Sequence, residues 1–300
     1  MTKRLRNERG QAVIMTVIFL TVLIGAAAIV TDVGAWYRQQ RQAQATADAA
    51  ALAGAQVLPD DTTTAQTLAA QYAASNGGGV KGITLRSDFQ PNDTVVVKVE
   101  KDVPSFFANI FSIDHATVDA TAAARADVPE QVAGAAPIVV NKLHPLLSGP
   151  GCPCFRVTTT LPLGKTGAPG AFALVDLNSG SNANGDLANW IENGYDGYLK
   201  IGDYFSNTGA QFSSSNVQTA LSDRIGTDLL FPVYDKLSGG GSNATYGVIG
   251  WVGFHLTSFD TQGNTGDLSG YFTKVIWDGL QSSSNQNLPD FGVYSVQLVN

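Results

Sequence analysis

"TDVGAWYRQQRQAQATADAAALAGAQVL" (residues 31–58) follows directly on an apolar run, and its reading decides the fold. The composition changes there to Ala, Gln and Arg, all good helix formers, and Gly54 is the one glycine after Gly34. The helix that arrives at Thr31 is therefore expected to continue until Pro59, which cannot extend it and disfavours helical geometry at Leu58. Along this helix small residues recur at Ala43, Ala47, Ala51 and Gly54. Steps of three or four place them in one smooth stripe, a packing face that could take another helix, a sheet or the protein's own domain.

Upstream, residues 12–30 are nineteen positions without a charge, mostly Val, Ile, Leu, Phe and Ala. At 1.5 Å per residue they cover about 28 Å, close to the hydrocarbon thickness of a bilayer. Lys3, Arg4, Arg6 and Arg9 precede the run, whereas Arg38 and Arg41 follow it. That asymmetry predicts a cytoplasmic basic tail (1–10), a transmembrane helix (11–31) and an extracytoplasmic helix continuation (32–58). Unbroken, such a rod would be about 70 Å long. A cleaved signal peptide is the rival, since Ala26, Ala27 and Ala28 resemble a cleavage site, but the run exceeds the usual apolar region of about 7–15 residues. A buried core helix is a weaker rival given the flanking charges.

The charge balance excludes one class of partner. The chain has a net charge of −7, and the first nine residues are +3, which leaves −10 on the remainder. An acidic body is repelled by phosphates, so no nucleic acid partner is expected. The bilayer itself is expected to be one partner.

Residues 59–128 read as a small α+β unit. "AQTLAAQYAASNGGG" (65–79) has helical spacing at Leu68, Ala69, Tyr72 and Ala73 and stops at Asn76-Gly77. "DTVVVKVEKDV" (93–103) alternates as a strand, "PSFFANIFSI" (104–113) reads as a short helix opened by Pro104, and residues 115–128 read as a second strand. Residues 129–136 lose the pattern and are assigned as a linker. From 137 to 300 short apolar runs alternate with Gly, Asn and Ser, which predicts a Gly/Asn-rich, β-rich domain interrupted by helices at "DLANWIENG" and "SNVQTALSDRIGTDL". The fold class expected is α+β throughout.

The N-terminal residues carry a resemblance. "ERGQAVIMTVIFLTVLIGAAAIVTDVGAWYRQQRQAQATADAAALAGA" (8–55) resembles the opening segment of TadG-like proteins of Tad (Flp) pilus assembly, with Gly10, Gln11, Asp32, Gly34 and Asp48 at matching positions. The resemblance implies a cytoplasmic-membrane protein with a pilin-like helical spine, partnered by other membrane proteins of a pilus or secretion machine. It brings no catalytic residues and no cofactor. Two departures bear on it: Met15 stands where a processed prepilin has Glu, and the Asp-x-Ser-x-Ser string of a von Willebrand A-type metal site is missing.

Motifs for catalysis are weak. Gly77, Gly79 and Gly82 fit G-x-G-x-x-G but follow a helix, the reverse of the dinucleotide order. Gly164-Lys165-Thr166 lacks the first phosphate-loop glycine, and no Ser stands three residues before a Lys. His115, His144 and His255 share no metal spacing. Asp176, Asn178, Gly180 and Asn182 alternate like a calcium loop, but Leu187 replaces the bidentate acid at position twelve, which favours an ordinary turn. Cys152 and Cys154 could form a disulfide, join a metal site or stay free.

Three functional classes follow. The leading one is a non-enzymatic, membrane-anchored structural or assembly component of the pilus or secretion apparatus. The second is an anchored binding module for adhesion or glycans, presenting Trp190, Tyr195 and Tyr198; no small-molecule substrate is identified. The third, an anchored hydrolase, has no motif.

Overall fold

The computed structural model describes residues 9–164, 173–178, 184–207, 212–240, 243–262, 265–281 and 288–299. The chain is α+β, a long N-terminal helix followed by sheets, as the sequence predicts. It divides into two compact units, Met1–Arg125 with Leu298–Asn300, and Ala126–Gln297.

The first unit is organised by α1 (Arg9–Ala55), 47 residues without interruption. α2 (Thr62–Ser75) starts at the cap residue Asp61, whose carboxylate accepts the Thr64 amide at 2.9 Å. Three antiparallel strands follow: β1 (Val80–Arg86), β2 (Thr94–Pro104) and β3 (His115–Asp127). β2 pairs with β1 through Leu85↔Val95 and with β3 along its full length, from Thr94↔Arg125 to Pro104↔His115. Val95, Val97 and Val99 are fully buried, while Lys98 between them is exposed. One face of β2 thus meets the helices and the other meets solvent, the alternation that a half-buried strand requires. The β1–β2 loop is held by Asp93, whose carboxylate accepts the amides of Asp88, Phe89 and Gln90 at 2.7–2.9 Å.

The second unit begins with β4 (Pro129–Ala133), which corrects the expected linker over 129–136. Val132, Ala135 and Ala136 are buried, and proline costs nothing as the first residue of a strand. Too few apolar residues alternate there for a sequence pattern to form. β5 (Val140–Asn141), the short α3 (Pro145–Ser148) and β6 (Thr158–Leu163) follow. Next come α4 (Asn184–Glu192), β7 (Tyr198–Lys200), β8 (Gly202–Phe205), α5 (Ser215–Asp223) and β9 (Asp228–Ser238). β10 (Thr245–Gln262), β11 (Thr265–Thr273), β12 (Val275–Ile276), β13 (Gly279–Gln281) and β14 (Val293–Val299) complete the order.

Its main sheet runs β5-β9-β10-β11-β6, with β8 pairing on β10, and a smaller sheet runs β13-β4-β7. Trp251, Tyr246, Phe212, Phe231, Phe254 and Phe272 are the largest fully buried side chains of the core among the described residues. Phe254 stacks on Phe231 at 5.4 Å and meets Phe272 edge-on at 5.6 Å, geometries in which aromatic rings attract. α4 and α5 lie against each other and add Leu187, Ile191, Val217 and Leu221 to that core.

Candidate membrane-exit site

The N-terminal part of α1 has an apolar surface that is largely exposed, from Val13 at 63 % to Val30 at 71 %. Its most apolar 18-residue window has a mean hydropathy of 2.8, and none of that window is buried. The core helix of a soluble domain would be covered, so the core-helix rival is removed. The three hydroxyls on this surface turn inward: Thr16, Thr21 and Thr31 donate to the carbonyls of Ala12, Val17 and Ala27 at 2.8–2.9 Å. Such back-bonding leaves no hydroxyl hydrogen exposed to an apolar surrounding.

One turn after Ala28 the helix places Asp32, which is 2 % exposed. Its carboxylate accepts three consecutive backbone amides from the β2–β3 loop: Phe106 at 2.9 Å, Phe107 at 2.9 Å and Ala108 at 2.6 Å. Charge-assisted bonds of this kind are roughly twice as strong as neutral ones. They replace the short helix expected over 104–113 with a single 3₁₀ turn, Ala108–Phe111. The amides that would have started a helix are taken by a residue on another element. Trp36 lines the same groove as Asp32 and the loop, and Arg41 lies over the Tyr37 ring at 5.6 Å.

The other family-type positions are placed more plainly. Gly10 and Gln11 lie in the first turn of α1, and the Gln11 side chain is outside the described residues. Gly34 faces open space, and Asp48 accepts the Gln44 side-chain amide at 2.7 Å on the same helix. The basic residues Lys3, Arg4 and Arg6 lie outside the described residues.

The small-residue stripe is filled from within the first unit. Ala43, Ala47 and Ala51 are fully buried, and a Cβ at Gly54 would stand 2.9 Å from the Ala65 carbonyl oxygen, 3.1 Å from the Ala69 Cβ and 3.3 Å from Val95. α2 answers with Ala65, Ala69 and Ala73, so two alanine faces meet. Of the four residues at helical spacing, Ala69 and Ala73 lie in that face, while Leu68 and Tyr72 sit at its margin, with Tyr72 half exposed. Thr46 fastens the far end by donating to the Asn76 carbonyl at 2.6 Å.

Elsewhere the candidates are dispersed. Cys152 and Cys154 are joined by a disulfide. Asp176 accepts the Asn178 amide at 3.0 Å, an Asx turn, while Gly180 and Asn182 of the calcium-like string lie outside the described residues. Lys165 and Thr166 also lie outside them. His144 caps α3 by accepting the Leu146 amide at 3.2 Å, and burial pushes its pKa below the ordinary 6.5. His255 pairs with Asp228 at 2.7 Å, and His115 opens β3. Among the described residues no group of three or more His, Cys, Asp or Glu could hold a metal ion.

The aromatic trio of the binding-module reading does not form one exposed surface. Trp190 is a core residue, 5 % exposed, because it shares a face of α4 with Leu187 and Ile191. Tyr195 stands edge-on to it at 5.9 Å. Only Tyr198 is well exposed, and it donates to Asp278 at 2.9 Å, a bond that raises its pKa.

The β2–β3 loop is what sequence reasoning missed. Its signal was present: nine uncharged residues (105–113), five of them Phe or Ile, between Asp102 and Asp114.

The first half of α1 is long and apolar enough to cross a membrane, and its second half is built into its own α+β unit. Residues 10–57 match the Tad family, described as "Putative Flp pilus-assembly TadE/G-like". The match takes in nearly all of α1. No curated protein matches the chain, and no solved structure matches it.

Proposed function

We propose that this protein is a non-enzymatic component of a Tad (Flp-type) pilus or a related secretion apparatus. It is anchored once in the cytoplasmic membrane, with its basic N-terminus inside and both folded units outside. The observation that supports the reading is that residues 10–55 of the Tad match form one unbroken helix, lipid-compatible at one end and folded at the other. The orientation rests on the excess of Lys and Arg before the span.

The reading also bears on where partners dock. The alanine stripe is occupied by α2 and β2, so other membrane proteins of the machine meet the uncovered surfaces of the protein, the lateral face of residues 12–30 among them. Protease added to intact protoplasts tests the orientation. Digestion of both folded units is expected, and their full protection would overturn it. Intact mass tests the anchor, because a mature chain beginning near Ile29 would establish a cleaved signal peptide. Co-purification of Tad-machine membrane proteins tests the role, and their absence at normal expression would overturn it.

A further inference from the structure

The β2–β3 loop presents an apolar surface that its own unit does not use. Phe106, Ile110 and Phe111 are 78 %, 79 % and 76 % exposed, and no charged residue occurs from Ser105 to Ile113. In water so concentrated an apolar patch is unfavourable and marks a contact surface.

The position of the loop along α1 identifies what it contacts. Between them lies a groove of about 530 Å³, lined on the helix by Gly25, Ala28 and Ile29 and on the loop by Phe107, Ile110 and Phe111. The lining begins at Thr21, eleven residues before Asp32, or about 16 Å toward the N-terminus. Thr21 is the midpoint of the apolar span 12–30. The loop therefore flanks the half of the span next to Asp32, and a bilayer that accepts the span must also accept the loop.

Irregular backbone is tolerated at that depth only if its polar groups are satisfied internally. Here they largely are. Asp32 takes the amides of Phe106, Phe107 and Ala108. The amides of Ser105, Ile110, Ser112 and Ile113 go to the carbonyls of Asp114, Phe107, Asn109 and Ala108. Trp36 and Tyr37, on the other side of Asp32, are the residue types enriched where a bilayer meets water.

We propose that residues 105–113 are a second membrane contact, a loop inserted into one leaflet beside α1, fixed by Asp32, with lipid acyl chains filling the groove. This rests on the reading of α1 as a membrane span.

The test uses the full chain in phosphatidylethanolamine/phosphatidylglycerol vesicles. Both native cysteines are in the disulfide, so a single added cysteine can carry a nitroxide. Labels go at Ile110→Cys and Phe111→Cys, at Ile18→Cys within the span, and at Gln66→Cys on the exposed side of α2. The ratio of collisions with oxygen to collisions with a water-soluble nickel chelate reports depth. Ratios at 110 and 111 severalfold above that at 66, and close to that at 18, are expected. Water-like ratios at 110 and 111 with a lipid-like ratio at 18 would overturn the insertion and leave the anchor. Water-like ratios at all sites would overturn both. Poor access for both reagents at 110 and 111, with spin–spin broadening between copies, would place a second chain in the groove and overturn the lipid assignment.

Discussion

The amide of Ala108 donates to the carboxylate of Asp32 at 2.6 Å, across 76 positions of sequence. With Phe106 and Phe107 it closes the β2–β3 hairpin onto the point where the apolar part of α1 ends. Asp93 holds the other end of β2 in the same way, by three amides of the β1–β2 loop. Each hairpin loop at the ends of this strand is thus fixed by one aspartate.

Asp32→Asn keeps the size of the side chain but leaves one oxygen acceptor for three amides and brings an NH₂ group toward them. Amide exchange at Phe106, Phe107 and Ala108 should accelerate by roughly tenfold or more, while residues 43–55 of α1 keep their protection. Hydrogen exchange on the full chain in detergent checks this. Unchanged rates at 106–108 would mean that the loop holds its shape without the carboxylate.

Gly54→Ala sets two effects against each other. Alanine gains about 1 kcal/mol of helix propensity over glycine. Its Cβ would stand 2.9 Å from a backbone oxygen, Ala65 O, which cannot swing aside as a side-chain end would. Overpacking of this kind costs about 1–3 kcal/mol, so the clash is expected to win and the midpoint of thermal unfolding of the first unit to fall. A raised midpoint would show that α2 can retreat.

Ala47→Leu and Ala51→Leu insert larger groups into the same face, where both alanines are fully buried. Each should destabilise the first unit by about 1–3 kcal/mol in urea unfolding. Loss of machine partners in these variants would then follow from misfolding of the unit. Normal stability with lost partners would instead make the stripe an intermolecular face.

His144 gives the second unit an acid-sensitive point. Burial lowers its pKa below the ordinary 6.5, so the unfolded chain takes up a proton there before the folded chain does. Its contribution to stability is complete above pH 6.5 and is lost as the pH falls through the lowered folded value. Protonation at Nδ1 would also remove the acceptor for the Leu146 amide. Unfolding midpoints of the second unit should decline below pH 6.5 in the parent and decline less in His144→Asn, which can still cap the helix. Identical pH profiles would assign the sensitivity to other groups.

The long helix could be read from its composition, although it ends at Ala55 and not at the expected Leu58, and strands β2 and β3 from their alternation. β1 could not, since Gly82 interrupts the alternation of "VKGITLR" and leaves half of it exposed. Which of the α2 positions at helical spacing pack on α1 could not be read, for a different reason. Leu68 and Tyr72 are the most apolar of them, but the close approach of α1 at Gly54 admits only alanine between the helices. Trp190 looks like a surface aromatic in a Gly/Asn-rich stretch, and only its spacing from Leu187 and Ile191 reveals the buried face. Of the membrane-exit site, Asp32 was visible and its partners were not, because nothing local in "PSFFANIF" points to an acceptor more than 70 residues earlier.

From Asp32 to Gly54, α1 is fastened to its own unit over 22 residue steps, about 33 Å of axis. In the proposed anchored arrangement, a beam clamped over that length has no hinge where it enters the membrane. A lateral pull on the first unit is therefore converted into torque on the span, which must lean in the bilayer, because the unit cannot swivel above it.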